Sequence, residues 1–196
     1  MKIKICGITN LEDALNAIEA GVDALGFVFY EKSPRYIDPF KAREIVEQLP
    51  PFVQTVALFV NENSSFINQV CTNAKMQLAQ IIDDDNYTDF NILNFKYIKV
   101  VRAKEKKDLI ENQGNYVLVD AFVESFGGEG KRVALEWFDN IDCSKMILAG
   151  GLNESNLKDL KGYNFFGVDV SSGVEVSKGK KDKTKMINFV KAVKEI

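Results

Sequence analysis

The sequence predicts an α/β protein, a single-domain (β/α)8 TIM barrel over residues 1–196, on three observations. Eight short apolar runs alternate with eight helix-patterned segments through short connections. The runs are β-rich or almost continuously apolar, as parallel strands are when helices cover the sheet. No GxGxxG follows the first run, which leaves a doubly wound sheet as the weaker alternative.

In chain order, a first strand is expected near 2–6 ("KIKIC") and a first helix near 11–20. Asn10 precedes that helix as an N-cap, and Gly21 follows it as a C-terminal cap. The second unit pairs a strand near 23–29 with a helix near 39–48, opened by Asp38-Pro39. Strands near 53–60 and 75–80 flank a helix near 64–73. The Asn- and Asp-rich stretch "IIDDDNYTDFNILNFKYIKVV" predicts a short fourth helix near 87–93, then a strand near 96–102. Helices follow near 105–112, 133–139, 153–161 and 182–195, with strands near 115–120, 145–149 and 165–170 between them. Asn153 with Glu154 opens the seventh helix and Gly162 closes it. Nothing reads as a linker, a low-complexity stretch or a convincing repeat, so one domain is expected.

Apolar residues make up 46% of the chain and charged residues 27%, the profile of an ordinary globular protein. A net charge of −3 points to neither nucleic acid nor an acidic membrane as partner. No charged-then-apolar leader opens the chain. The longest apolar runs, Val22–Tyr30 and Val53–Val60, fall far short of the ~20 residues that span a bilayer. Cys6, Cys71 and Cys143 are widely spaced without CxxC, which argues against disulfides and zinc and fits a reducing, cytoplasmic location. Histidine is absent, and with it go the usual general base, the Ser-His-Asp triad and the commonest metal ligand. Acid–base chemistry must then fall to carboxylates, Cys, Lys or Tyr, with no metal expected.

In such a barrel the active site lies at the C-terminal ends of the strands. Those ends present Cys6-Gly7, Tyr30 to Arg35, Asn61, Gln80, Arg102, Asp120, Gly150-Gly151 and Asp169 to Gly173. Thiol, guanidinium, carboxylate and glycine turns together suit a small phosphorylated anion. Alternation along the first strand turns Ile3 and Ile5 outward, so Lys4 and Cys6 point into the barrel. An ammonium one layer below Cys6 would favour thiolate over thiol; the alternative is that Cys6 merely fills the core. Cys71 and Cys143 read as fillers.

Asp120 closes the apolar strand "NYVLVDAF" and is either structurally paired or kept partly protonated by burial. A protonated acid opposite a thiolate would be an acid–base pair without histidine. "GGEGK" (127–131) reads as a mobile lid or a bed of backbone donors, and its spacing is not a Walker loop. "LAGGL" (148–152) and "VDVSSGVE" (168–175) fit phosphate-binding loops after strands seven and eight. Arg35 in "EKSPRY" offers a guanidinium able to grip a carboxylate, or lies solvated at the surface. The lysine-rich "SKGKKDKTK" (177–185) reads as a solvated loop entering the last helix.

"KICGIT", "DALGFVF…SPR", "VDAF…GGEGK…EWF", "LAGGLNESN" and "GVDVSSGVE…GKKD" stand in the order and spacing of the phosphoribosylanthranilate isomerase family, which the chain resembles from residue 2 to its last helix. The resemblance implies a (β/α)8 barrel and an Amadori rearrangement in tryptophan biosynthesis, without metal or organic cofactor. It implies Cys6 as general base and Asp120 as general acid. It puts the substrate's anthranilate carboxylate on Arg35 and its phosphate around Gly150, Gly151, Ser172 and Gly173. Asp169, with Lys4, is implied in orienting the substrate. The implied partner is a phosphorylated sugar, on a monomer or a homodimer. One departure stands out: the family's "QLHG" at the end of strand four reads "QLAQ" (77–80) here. Rival readings are another sugar-phosphate isomerase or epimerase, and a non-catalytic sugar-phosphate binder.

Overall fold

The computed structural model describes residues 1–122 and 132–196. Eight parallel strands close into a barrel in sequence order: β1 (Lys2–Cys6), β2 (Ala24–Val28), β3 (Gln54–Val60), β4 (Leu78–Ile82), β5 (Lys96–Ala103), β6 (Val117–Ala121), β7 (Met146–Leu148) and β8 (Gly167–Val170). The expected fold is the observed one. Helices α1 (Leu11–Ala20), α2 (Pro39–Val46), α3 (Ser64–Asn73), α4 (Lys106–Glu111) and α5 (Lys183–Lys194) lie outside it. After β8 the chain makes a small antiparallel hairpin, β9 (Glu175–Ser177) with β10 (Lys180–Lys181), before α5.

Helix starts follow the side chains that satisfy otherwise orphaned amides. Asn10 Oδ1 accepts from Asp13 N at 2.8 Å, and Asp38 Oδ1 accepts from Phe40 N and Lys41 N ahead of Pro39. Gly21 ends α1 at φ 100°, a left-handed backbone that other residues adopt at a cost.

Three expected helices shrink to 3₁₀ segments, at Phe90–Ile92, Leu135–Phe138 and Glu154–Leu160. Before the first of these, Asp83 accepts from Tyr87 N and Thr88 N, and the Thr88 hydroxyl donates to Glu62 O. Such local side-chain bonds compete with the α-helical ladder. Asn153 caps the start of the third segment as expected, and Asn156 Oδ1 accepts from Asn153 N at 3.0 Å in return, yet the segment winds as 3₁₀.

The outer core lies between strands and helices and includes Ile3, Ile5, Ala14, Ala17, Phe27 and Phe189. A smaller inner cluster of Leu118, Ile147 and Ala149 fills the barrel itself. Ile3 and Ile5 thus face the helices, which leaves Lys4 and Cys6 for the interior. Among the described residues no helix is long and apolar enough to cross a membrane.

Candidate active site

A cleft opens at the C-terminal ends of the strands, enclosing about 940 Å³ including its mouth. Its walls hold Cys6, Arg35, Gln80, Asp120, Gly150 and Asp169, with Gly151 and Ser172 at its glycine-rich side.

Cys6 ends β1, paired in register with Gly26 of β2, while Lys4 stands opposite Asp169 of β8. Lys4 Nζ donates to Asp169 Oδ1 at 2.9 Å, with both side chains buried. Gly26 makes this arrangement possible. A Cβ built there would fall 2.8 Å from Cys6 Sγ and 2.9 Å from Lys4 Nζ. Any larger residue would push the thiol or the ammonium aside.

The electrostatics revise one expectation. Burial pushes the Cys6 thiol up, with Asp169 adding to the rise, and the opposing pull of Lys4 and Lys181 does not overcome it. Lys4 does favour the thiolate, but it also serves Asp169, so the resting group is a thiol. Burial likewise raises Asp169 despite Lys4. Lys4 itself is raised: burial works against its charge, but Asp169 and Cys6 outweigh it.

Asp120 sits on β6 opposite Arg102 of β5, and its Oδ1 accepts from Ala121 N at 2.8 Å. Burial pushes its carboxyl up to about 6, against the lowering effects of the Ala121 bond and Arg102, with Asp169 adding to the rise. Of the two readings of this strand-end acid, the partly protonated one fits. Arg102 stacks at 4.7 Å over the Phe122 ring and pairs with Asp84.

Arg35 is buried, which excludes the solvated reading. Its Nε and Nη2 each donate at 2.8 Å to the two carboxylate oxygens of Glu175. The guanidinium grips a carboxylate bidentately, as its chemistry suggests, but this carboxylate belongs to the protein. Lys181 completes the cluster, its Nζ donating to Glu175 Oε1 at 2.8 Å. The lysine-rich segment is therefore not wholly solvated: Lys181 is buried on β10, with only its neighbours facing water.

Gly150 and Gly151 take φ of 86° and 60°, so the loop after β7 turns through backbone that glycine tolerates best. Asn156 Nδ2 donates to Gly151 O at 2.9 Å and holds the loop in place. Ser172–Val174 forms one 3₁₀ turn whose first amides have no acceptor within the turn. Gly173 does not line the cleft. It lets the β7 and β8 loops touch, since a Cβ there would stand 1.9 Å from Leu152 O.

Two further expectations shift. β4 begins at Leu78, so Gln80 lies within the strand, buried and facing the cleft with Ile82, rather than at its end. Gln77 sits at the opposite rim, where its Oε1 accepts from Thr55 N and Gln54 Nε2. The stretch that leaves β4 at the mouth is thus Ile82-Asp83, and "QLAQ" is not the entrance loop. "GGEGK" falls within 123–131, outside the described residues. Cys71 and Cys143 are buried away from the cleft, with burial raising their thiols to about 12 and about 11. Among the described residues no group of three His, Cys, Asp or Glu is disposed to hold a metal.

Glu175, Lys181 and Gly26 were not singled out by sequence reasoning. The glutamate closing "SSGVE" and the Gly26 in "DALGF" carry no local signal of their partners. Those partners arrive only when β1, β2 and the last hairpin meet.

A family model described as N-(5'-phosphoribosyl)anthranilate isomerase matches residues 3–192. A curated protein of that name from Nitratiruptor sp. is 58% identical over 99% of both chains. The crystal structure of phosphoribosyl anthranilate isomerase from Thermotoga maritima covers 100% of both chains, with 36% identity and a TM-score of 0.88. Another solved isomerase, in complex with reduced 1-(o-carboxyphenylamino)-1-deoxyribulose 5-phosphate, also covers 100% of both chains, with 36% identity and a TM-score of 0.82.

Proposed function

Because this chain belongs to the N-(5'-phosphoribosyl)anthranilate isomerase family, enzymes of tryptophan biosynthesis, we propose that Cys6 and Asp120 carry out its Amadori rearrangement as base and acid. One observation carries the assignment. A thiol and a carboxyl raised to about 6 line the same cleft, at the ends of β1 and β6.

Asp120, protonated, donates to the ribose ring oxygen. The C1′–O bond breaks as the anthranilate nitrogen pushes in its electron pair, giving an iminium ion. Cys6 as thiolate removes the C2′ proton, and the C–H electrons flow to nitrogen to form an enolamine. Loss of the C2′ hydroxyl proton and return of a proton to C1′ yield the ketose, 1-(2-carboxyphenylamino)-1-deoxyribulose 5-phosphate. The substrate's own nitrogen is the electron sink. The cationic iminium formed beside Cys6 also favours its ionisation, offsetting the burial that keeps the resting thiol protonated.

The remaining assignments are those the family resemblance implies, and the cleft holds groups suited to them. Gly150, Gly151 and Ser172 offer backbone donors for the phosphate, with Gly173 holding the two loops together. Arg35 meets the anthranilate carboxylate, and Asp169, held by Lys4, orients the substrate's hydroxyls.

The test is turnover of phosphoribosylanthranilate, followed as loss of anthranilate-type fluorescence with no metal added. Cys6→Ala and Asp120→Asn should each lose on the order of 10²–10⁴-fold in kcat. Full activity in both variants would overturn the acid–base assignment.

A further inference from the structure

A guanidinium presents five N–H donors along two edges that each match a carboxylate. Glu175 occupies only the Nε–Nη2 edge of Arg35. The other edge, Nη1 with the second hydrogen of Nη2, has no acceptor among the described residues, and Arg35 lines the cleft. We propose that Glu175, backed by Lys181, is a positioning residue that fixes Arg35 so that this second edge meets the substrate's ring carboxylate. Selectivity for a carboxylated N-aryl group then depends on Glu175. This rests on the reading of Arg35 given above.

Three observations support it. Arg35 comes from the turn between β2 and α2, and a long side chain there would otherwise lose considerable rotamer freedom on binding. Glu175 removes that freedom in advance, and such preorganisation favours binding. Glu175 is itself held fast. Its Oε1 also accepts from Lys181 Nζ at 2.8 Å and Gly179 N at 3.2 Å, and Lys181 Nζ reaches Ser171 O and Oγ at 3.3 Å. Finally, the buried cluster sets two cations against one anion, an excess of one positive charge that an entering carboxylate would balance.

The hairpin has anchors besides this carboxylate. Lys181 N donates to Asp13 Oδ2 at 2.8 Å, Thr9 Oγ1 to Gly179 O at 2.6 Å, and Asp182 N to Val174 O at 2.8 Å. Lys185 Nζ adds a bond to the Glu175 carbonyl at 2.7 Å.

The sign of one substitution separates position from charge. Glu175→Gln makes the cluster more positive, so a purely electrostatic role predicts tighter carboxylate binding. A positioning role predicts weaker binding. The measurement is inhibition by the reduced product analogue and by the same compound without its ring carboxylate, in wild type, Glu175→Gln, Arg35→Ala and the double variant. Glu175→Gln should cut the preference for the carboxylated compound by about tenfold or more and leave the other compound's constant unchanged. It should raise KM more than it lowers kcat, and add nothing in the Arg35→Ala background.

An unchanged or larger preference in Glu175→Gln, or equal weakening of both compounds, overturns the proposal. If Arg35→Ala keeps the preference, the reading of Arg35 itself fails. If Arg35→Ala loses it and Glu175→Gln keeps it, only the present inference fails. Should Glu175→Gln not fold, Lys181→Met takes its place. That variant keeps the Arg35–Glu175 pair but removes its support, and should lose part of the preference; an unchanged ratio overturns the proposal.

Discussion

Lys4 Nζ lies 2.9 Å from Asp169 Oδ1, because the register of β1 against β8 sets these two residues directly opposite each other. Both are buried, so neither charge has water as a substitute partner. Lys4→Met should cost about 3–5 kcal/mol, the usual penalty for stranding one buried charge. It should also slow turnover, since the lowering pull on Cys6 goes with it. Lys4→Met combined with Asp169→Leu should recover most of the stability, by thermal or urea unfolding, and none of the activity. A double variant as unstable as the single one would contradict this account.

The proposed acid and base have inverted affinities for protons, which should shape the pH profile of kcat/KM. Asp120 titrates at about 6, while the Cys6 thiol lies above its ordinary value. Below about pH 6, Asp120 stays protonated and the thiolate fraction grows about tenfold per pH unit, so the rate climbs. Above that, loss of the Asp120 proton cancels the gain in thiolate and the rate levels off. Beyond the thiol's pKa it falls. In Asp120→Asn the break near pH 6 should disappear, and the residual rate should keep rising until the thiol ionises. A wild-type profile without a break near pH 6 would remove Asp120 from the role of acid.

Asp120 should also cost stability at neutral pH. A carboxyl raised from 3.8 to about 6 on folding binds its proton more tightly in the folded state. Its contribution is fully present below the unfolded value and is lost as pH rises through the folded one. The difference amounts to about 3 kcal/mol at pH 7. Asp120→Asn should therefore be more stable than wild type at pH 8 by up to about that amount, and no more stable at pH 4. Chemical denaturation at the two pH values checks the sign.

Gly26→Ala places a methyl group 2.8 Å from Cys6 Sγ and 2.9 Å from Lys4 Nζ. Overpacking of this kind costs about 1–3 kcal/mol, which the fold should survive. If Cys6 is the base, displacement of its sulfur should reduce kcat by about 10²-fold. Normal kcat in a folded Gly26→Ala protein would show that Cys6 need not hold this position.

Gly173→Ala sets its methyl 1.9 Å from Leu152 O, a backbone atom that cannot swing aside. The loops after β7 and β8 should part, and KM for the phosphorylated substrate should rise. Inhibition by inorganic phosphate should weaken in parallel. If phosphate inhibits the variant and the wild type equally, these loops do not hold the phosphate.

The eightfold strand–helix alternation, the caps at Asn10, Asp38 and Gly21, and the inward direction of Lys4 and Cys6 were all legible in the sequence. Each depends on periodicity or on groups within a few residues, which the backbone's own geometry dictates. The start of β4 was not legible, because "MQLAQII" is apolar enough to begin a strand at several points. Three helices shortened to 3₁₀ turns where Asn, Asp and Thr side chains or short segments weakened the α-helical ladder.

Candidate residues Cys6 and Asp120 could be chosen from the sequence because each ends a strand, and strand ends form the mouth of a barrel. What surrounds them could not. Arg35 meets Glu175 across 140 residues of chain, and Lys4 meets Asp169 across 165. Such pairs form when ring closure and register bring distant strands together, and no local pattern records them. The sequence by itself determined which groups stand at the mouth; the tertiary structure decided which of them are already paired, which are desolvated, and which edge of Arg35 Glu175 holds.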